Sequence, residues 1–158
     1  MPRGRPYPVS DDVDRKLGAW CFNRTWELIE KEDRTAADDE EMLITSFASR
    51  YHWSRAGTPV NFGRSEWQIA RVYVLLGNAG EAVRHARRCV EITEGAGLRD
   101  FDLAFAYEGM ARALALSGED QEARVFADRA AAAGEEIAEA DDRQIFMSDL
   151  ATLPGRAG

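Results

Sequence analysis

The stretch Glu66-Trp-Gln-Ile-Ala-Arg-Val-Tyr-Val-Leu-Leu-Gly-Asn-Ala-Gly-Glu-Ala-Val-Arg-His-Ala-Arg-Arg-Cys89 reads as a helical hairpin. Its first arm carries Ile69, Ala70, Tyr73 and Leu76 at helical spacing, a break falls at Gly77-Asn78-Ala79-Gly80, and the second arm sets Ala82, Ala86 and Cys89 on one narrow face. A near copy follows: Ala111, Leu114, Gly118, Ala123, Ala127 and Ala130 repeat the spacing of Ala70, Tyr73, Gly77, Ala82, Ala86 and Cys89 at an offset of 41 residues.

Working outward, Ser10 is placed to cap a first helix that runs to about Glu32, with Asp11, Asp12 and Asp14 at the positive end of its dipole. At 3.6 residues per turn this helix has two apolar sides, one with Val13, Leu17, Trp20, Cys21 and Leu28, the other with Phe22, Trp26 and Ile29. Each side needs a partner, and Phe22, Trp26 and Ile29 are the candidates for a homodimer interface. Asp38 to Glu41 lead into a second helix ending near Ala56, whose expected core stripe is Leu43, Ile44, Phe47, Ala48 and Tyr51, with His52 and Trp53 off it. Gly57 to Gly63 reads as a loop, and the third helix is expected from Arg64 or Ser65. The fourth runs from about Gly80 to Glu94, the fifth from a cap at Asp100 or Asp102 to Ser117, and the alanine-rich sixth from about Asp120 to Ala140, with Gly134 as its weak point. Asp141-Asp142 opens a last amphipathic helix with Ile145, Phe146, Leu150 and Leu153, read as a cap on the array.

The expected organisation is a mobile segment 1–9, one all-α domain over 10–153 with hairpins at about 10–56, 64–95 and 100–140 and a cap at 142–153, and a tail 154–158. A chain of 158 residues is long enough for one domain with a substantial core. The formal charge of −8 argues against a nonspecific nucleic-acid binder, which needs a positive field. No apolar run reaches membrane length and Met1 to Pro8 does not resemble a signal peptide, so the expected compartment is the cytoplasm. Cys21 and Cys89 sit within helical patterns, as reduced core thiols do. Lys16 and Lys31 are the only lysines; the arginine bias fits a GC-rich bacterial genome.

The paired units resemble the tetratricopeptide repeat, a helix-turn-helix unit of roughly 34 residues. Ala70, Tyr73, Gly77, Ala82, Ala86 and Cys89, and again Ala111, Leu114, Gly118, Ala123, Ala127 and Ala130, follow that family's pattern of small and aromatic positions. The resemblance covers Arg64 to about Gly134 and implies a right-handed stack of hairpins, as in small bacterial repeat proteins. The departures are a longer period, lengthened by Gly95 to Asp100, a missing closing proline, and alanine at the bulky second-helix position, Ala86 or Ala127.

Such a stack leaves its first helices lining a concave surface. Arg64, Trp67, Gln68 and Arg71 on the third helix, and Phe105, Glu108 and Arg112 on the fifth, are then the candidate binding residues, with Arg71 matched to Arg112 by the offset. Two arginines flanked by Trp67 and Phe105 suit a carboxylate or phosphate beside a planar group. A purely structural alternative pairs Arg71 with Glu108 and packs Trp67 against the first two helices. His85 and Cys89, one turn apart, have metal-ligand spacing with His52 and Glu66 as neighbours, but Cys89 falls on a core position, so no metal or other cofactor is expected. No nucleophile motif or phosphate loop points to catalysis. The expected function is recognition of a protein or peptide segment, anionic groups included, in a groove; the alternatives are an anionic-ligand pocket or enzyme built on His52, Trp53, Trp67, Arg71 and Glu108, and a structural homodimer.

Overall fold

Ser10 caps the first helix as expected, its side chain accepting from the backbone N–H of Val13. The computed structural model describes residues 6–156, which form α1 (Asp11–Glu30), α2 (Ala36–Ala56), α3 (Pro59–Leu75), α4 (Ala79–Gly95), α5 (Asp100–Ser117), α6 (Asp120–Glu135) and α7 (Ala140–Leu150). There is no strand among the described residues, and no helix is long and apolar enough to cross a membrane. Residues 1–5 of the segment expected to be mobile, and residues 157–158 of the expected tail, lie outside the described residues. Tyr7 is tied down: its hydroxyl donates to Asp14 and Arg55 lies over its ring.

Consecutive helices pair as α1–α2, α3–α4 and α5–α6, adjacent pairs stack through α2–α3, α4–α5 and α3–α5, and α7 packs on α5 and α6. The second arms are thin. Ala82, Ala86 and Cys89 of α4 and Ala123, Ala127 and Ala130 of α6 are all buried, so neighbouring helices approach closely around Met110 and Leu114. Phe146 and Leu150 of α7, with Leu153 just beyond it, close the far end of the core.

Four local expectations are corrected. α3 begins at Pro59, several residues earlier than expected, because Pro59 occupies its first turn and Asn61 reaches back to the Thr58 backbone N–H. α6 stops at Glu135, and in its last turn the Phe146 ring lies against the backbone at Gly134. The buried face of α2 is Met42, Thr45, Ser46 and Ser49, while Ile44 and Tyr51 are more than half exposed. Hydroxyls make that face tolerable: Thr45 shares a 2.8 Å bond with Thr25, and Ser49 donates to the Gly18 carbonyl at 2.9 Å. On α1, Cys21 and Leu28 are buried as expected but Val13, Leu17 and Trp20 are exposed, Trp20 by 61%.

Two glycines test how tightly the helices fit. Gly134→Ala should lower stability by about 1–3 kcal/mol, since the new methyl meets Phe146 and this outweighs the ordinary helical gain from alanine. Gly80→Ala, where a Cβ meets nothing within 4 Å, should raise it by up to about 1 kcal/mol. Urea midpoints of the two variants check this: equal shifts would refute the tight packing at Gly134.

Candidate functional site

Helices of odd number line one cleft of about 620 Å³, with a floor reaching Cys89 and Thr93 of α4. Its walls are mostly aromatic. Phe22 and Trp26 come from α1, Trp67 from α3, and Phe101 and Phe105 from α5, and their rings are in sequence: Phe22–Trp26 at 6.5 Å, Trp26–Trp67 and Trp67–Phe105 at 5.5 Å, Phe101–Phe105 at 4.5 Å between centroids. Trp67 reaches this position because α5 carries glycine opposite it. A Cβ at Gly109 would lie 2.9 Å from the indole Cδ1, so the missing side chain sets the α3–α5 spacing.

Arg71 and Arg112 converge, and they do so on a carboxylate of their own chain. Glu108 is fully buried on α5; Arg112, one turn later, donates to it through Nε at 2.7 Å, and an Arg71 Nη lies 3.7 Å away. The other Nη of Arg71 donates to Asp149 of α7 at 2.8 Å, and Arg112 also reaches the Asp149 carbonyl and the Thr152 hydroxyl. Burial is the largest influence on Glu108 and, aided by nearby Asp149, raises its carboxyl above the ordinary range against the pull of Arg112 and Arg71. The arrangement is electrically complete. Two guanidinium groups face two carboxylates, and the structural pairing of Arg71 with Glu108 is the one observed, although the Arg71 Nη nearer Glu108 and the Glu108 Oε2 make no hydrogen bond.

Of the other residues singled out from sequence, Arg64, Trp67, Arg71 and Phe105 line the cleft, and Glu108 and Arg112 stand behind Arg71. Arg64 is paired with Asp102 at 2.7 Å at the rim. Gln68 is buried toward α1, donating to the Phe22 carbonyl at 3.0 Å, and does not line the cleft. His52 and Trp53 are on the far side of the first hairpin: His52 pairs with buried Asp14 at 2.7 Å, and the Trp53 ring covers Gly18. The pocket built on His52 and Trp53 together with Arg71 is therefore not assembled. Phe22 and Trp26, read as dimer candidates, are cleft walls, and Ile29 packs on the cluster of Leu28, Met42 and Val72. Sequence reasoning missed Glu30 and Asp149 as cleft residues. Asp149 carried a signal, a carboxylate one turn from buried Phe146 on a helix read as a cap.

His85 and Cys89 do not face a common point. Cys89 sits in the cleft floor, its thiol pushed up to about 12 by burial, whereas His85 Nδ1 contacts Glu66. Among the described residues no group of three potential metal ligands comes together. Glu66, 2% exposed, also accepts from Arg50 Nε at 3.0 Å and lies 3.4 Å from Arg88, while Tyr73 stacks on the His85 ring. This cluster joins α2, α3 and α4. Burial pushes the Glu66 carboxyl up, but the hydrogen bonds from His85 and Arg50 outweigh it and hold it below its ordinary value of 4.5.

Glu66 therefore stabilises the fold fully above its unfolded value, and that contribution disappears as pH falls through the lower folded one. Glu66→Gln should cost about 2 kcal/mol near neutral pH, and the variant should lose less further stability than wild type below about pH 4.5. Urea titrations at about pH 7 and about pH 3.5 measure both; parallel acid losses in the two proteins would contradict the assignment.

No protein-family model, curated protein or solved structure matches this chain.

Proposed function

We propose that the chain is a binding module of tetratricopeptide-like design that holds a segment of a partner protein in the aromatic cleft. The observation that carries this reading is the open mouth of the cleft. Its rim is made of exposed side chains, Glu30 of α1, Arg64 of α3, and Ile145 and Ser148 of α7, whereas Trp67, Phe105 and Ala106 lie deeper. The volume is that of a ligand site, roughly 300–1,000 Å³, but the wall between α1 and α7 is open, which suits an extended chain entering sideways. Aromatic and aliphatic side chains are the natural contents, since the walls are mostly aromatic and apolar burial supplies the affinity. An anionic group of the partner would compete with Glu108 and Asp149 for Arg71 and Arg112.

Ser148 gives a clean test, because its side chain bonds only to the Gln144 carbonyl of its own helix and its replacement by a large ring fills the mouth without removing core. Heptapeptides selected from a random phage-displayed library on the full chain should bind Ser148→Trp at least about tenfold more weakly than wild type by fluorescence anisotropy. Selection of no peptide, or equal affinity for both proteins, would overturn the reading.

A further inference from the structure

Charges around the cleft do not cancel. Its lining holds the carboxylates of Glu30, Asp102 and Asp149 and the guanidinium groups of Arg64 and Arg71. Arg64 is taken by Asp102 and Arg71 by Asp149, which leaves Glu30 with no cation within ion-pair distance among the described residues. Glu30 is the last residue of α1, whose final turn contains no basic side chain, so the negative end of the helix dipole adds to its charge. Arg34 does approach that end, donating to the Ile29 and Lys31 carbonyls, but its Nε is held by Asp39 at 2.9 Å. One turn before Glu30 on the same helix face stands Trp26; its ring adjoins that of Trp67, which already carries the Arg71 guanidinium at 5.9 Å, so Trp26 is the indole beside Glu30 with no cation over it among the described residues. Indole faces are the best aromatic partners for a cation, and a carboxylate beside them strengthens the attraction.

Taking the peptide reading above as given, we infer that the cleft selects a basic segment. A lysine or arginine side chain of the partner crosses the face of Trp26 to reach Glu30, and an adjacent aromatic or aliphatic side chain enters the cleft against Phe105 and Ala106. The apolar side chain contributes most of the binding energy, while the cation fixes direction along the groove. The overall charge of −8 favours the same class of partner at long range and disfavours acidic ones.

The test uses the library selection together with matched analogues. Selected heptapeptides should be enriched in a lysine or arginine next to a large apolar residue. Replacing that basic residue by norleucine, or Glu30 by Gln, should each raise Kd about fivefold, and the two changes together should cost little more than either alone. Neutral or acidic selected peptides, an unchanged Kd in Glu30→Gln, or fully additive losses would overturn the inference while the Ser148→Trp block still upheld the cleft as a peptide site. Hexylammonium binding as tightly as the peptides, with the same dependence on Glu30, would assign the site to a free organic amine and overturn the peptide. Absence of any peptide sensitive to Ser148→Trp would overturn both readings.

Discussion

A carboxylate with no exposure to water governs this structure. Glu108 is buried among alanines on α5, where an isolated charge would cost far more than a small domain's net stability. Arg112 and Arg71 offset that cost from two helices, and the second arm of Arg71 then fixes Asp149, tying α7 to α3. The cap therefore has a polar anchor as well as its apolar one of Phe146 and Leu150. The same bonds occupy both arginines. What is left to face solvent is a cleft whose chemistry is aromatic, with a single uncompensated acidic group at its edge.

The width of that cleft follows from a second constraint, the contact of a large ring with bare backbone. Trp67 lies against Gly109, and Phe146 lies in the same way against Gly134. In each case a glycine accepts a ring where any side chain would push two helices apart. A ring seated on backbone cannot also swing outward, so Trp67 is fixed in the cleft wall with the Trp26 and Phe105 rings each 5.5 Å away and the Arg71 guanidinium over its own ring. Preorganised rings lose little freedom on meeting a ligand.

The hairpins were legible because their signals are local: alanines at helical spacing and glycines at Gly77 and Gly118, both left-handed as helix ends require. The α2 face was not legible. Apolar periodicity gives weight to Ile44, Phe47 and Tyr51, but the buried face includes Thr45, Ser46 and Ser49, whose hydroxyls bond to carbonyls or, for Thr45, to the Thr25 hydroxyl of α1. Small polar residues satisfied in this way allow close approach, and no hydropathy scale records the satisfaction. At the candidate site, Trp67 and Arg71 stood out as residues that core packing does not require. Whether Arg71 was free depended on Asp149, 78 residues away; charges can be counted from sequence, but their pairing depends on tertiary structure.

A division of labour between the helices connects the core to the cleft. Even-numbered helices carry alanine, serine and threonine where they face their partners, so they are narrow and bring the odd-numbered helices together on one side. Those odd-numbered helices carry the rings, since α1, α3 and α5 supply every aromatic wall of the cleft. Bulky residues on α4 or α6 would separate α3 from α5 and break the run of rings. α1 shows the limit of the scheme: its Phe22 side lines the cleft together with α3, while Val13, Leu17 and Trp20 on its other side are exposed and outside the cleft. Its two apolar faces are thus equivalent in sequence and unequal in structure, and only the one beside α3 becomes part of a site.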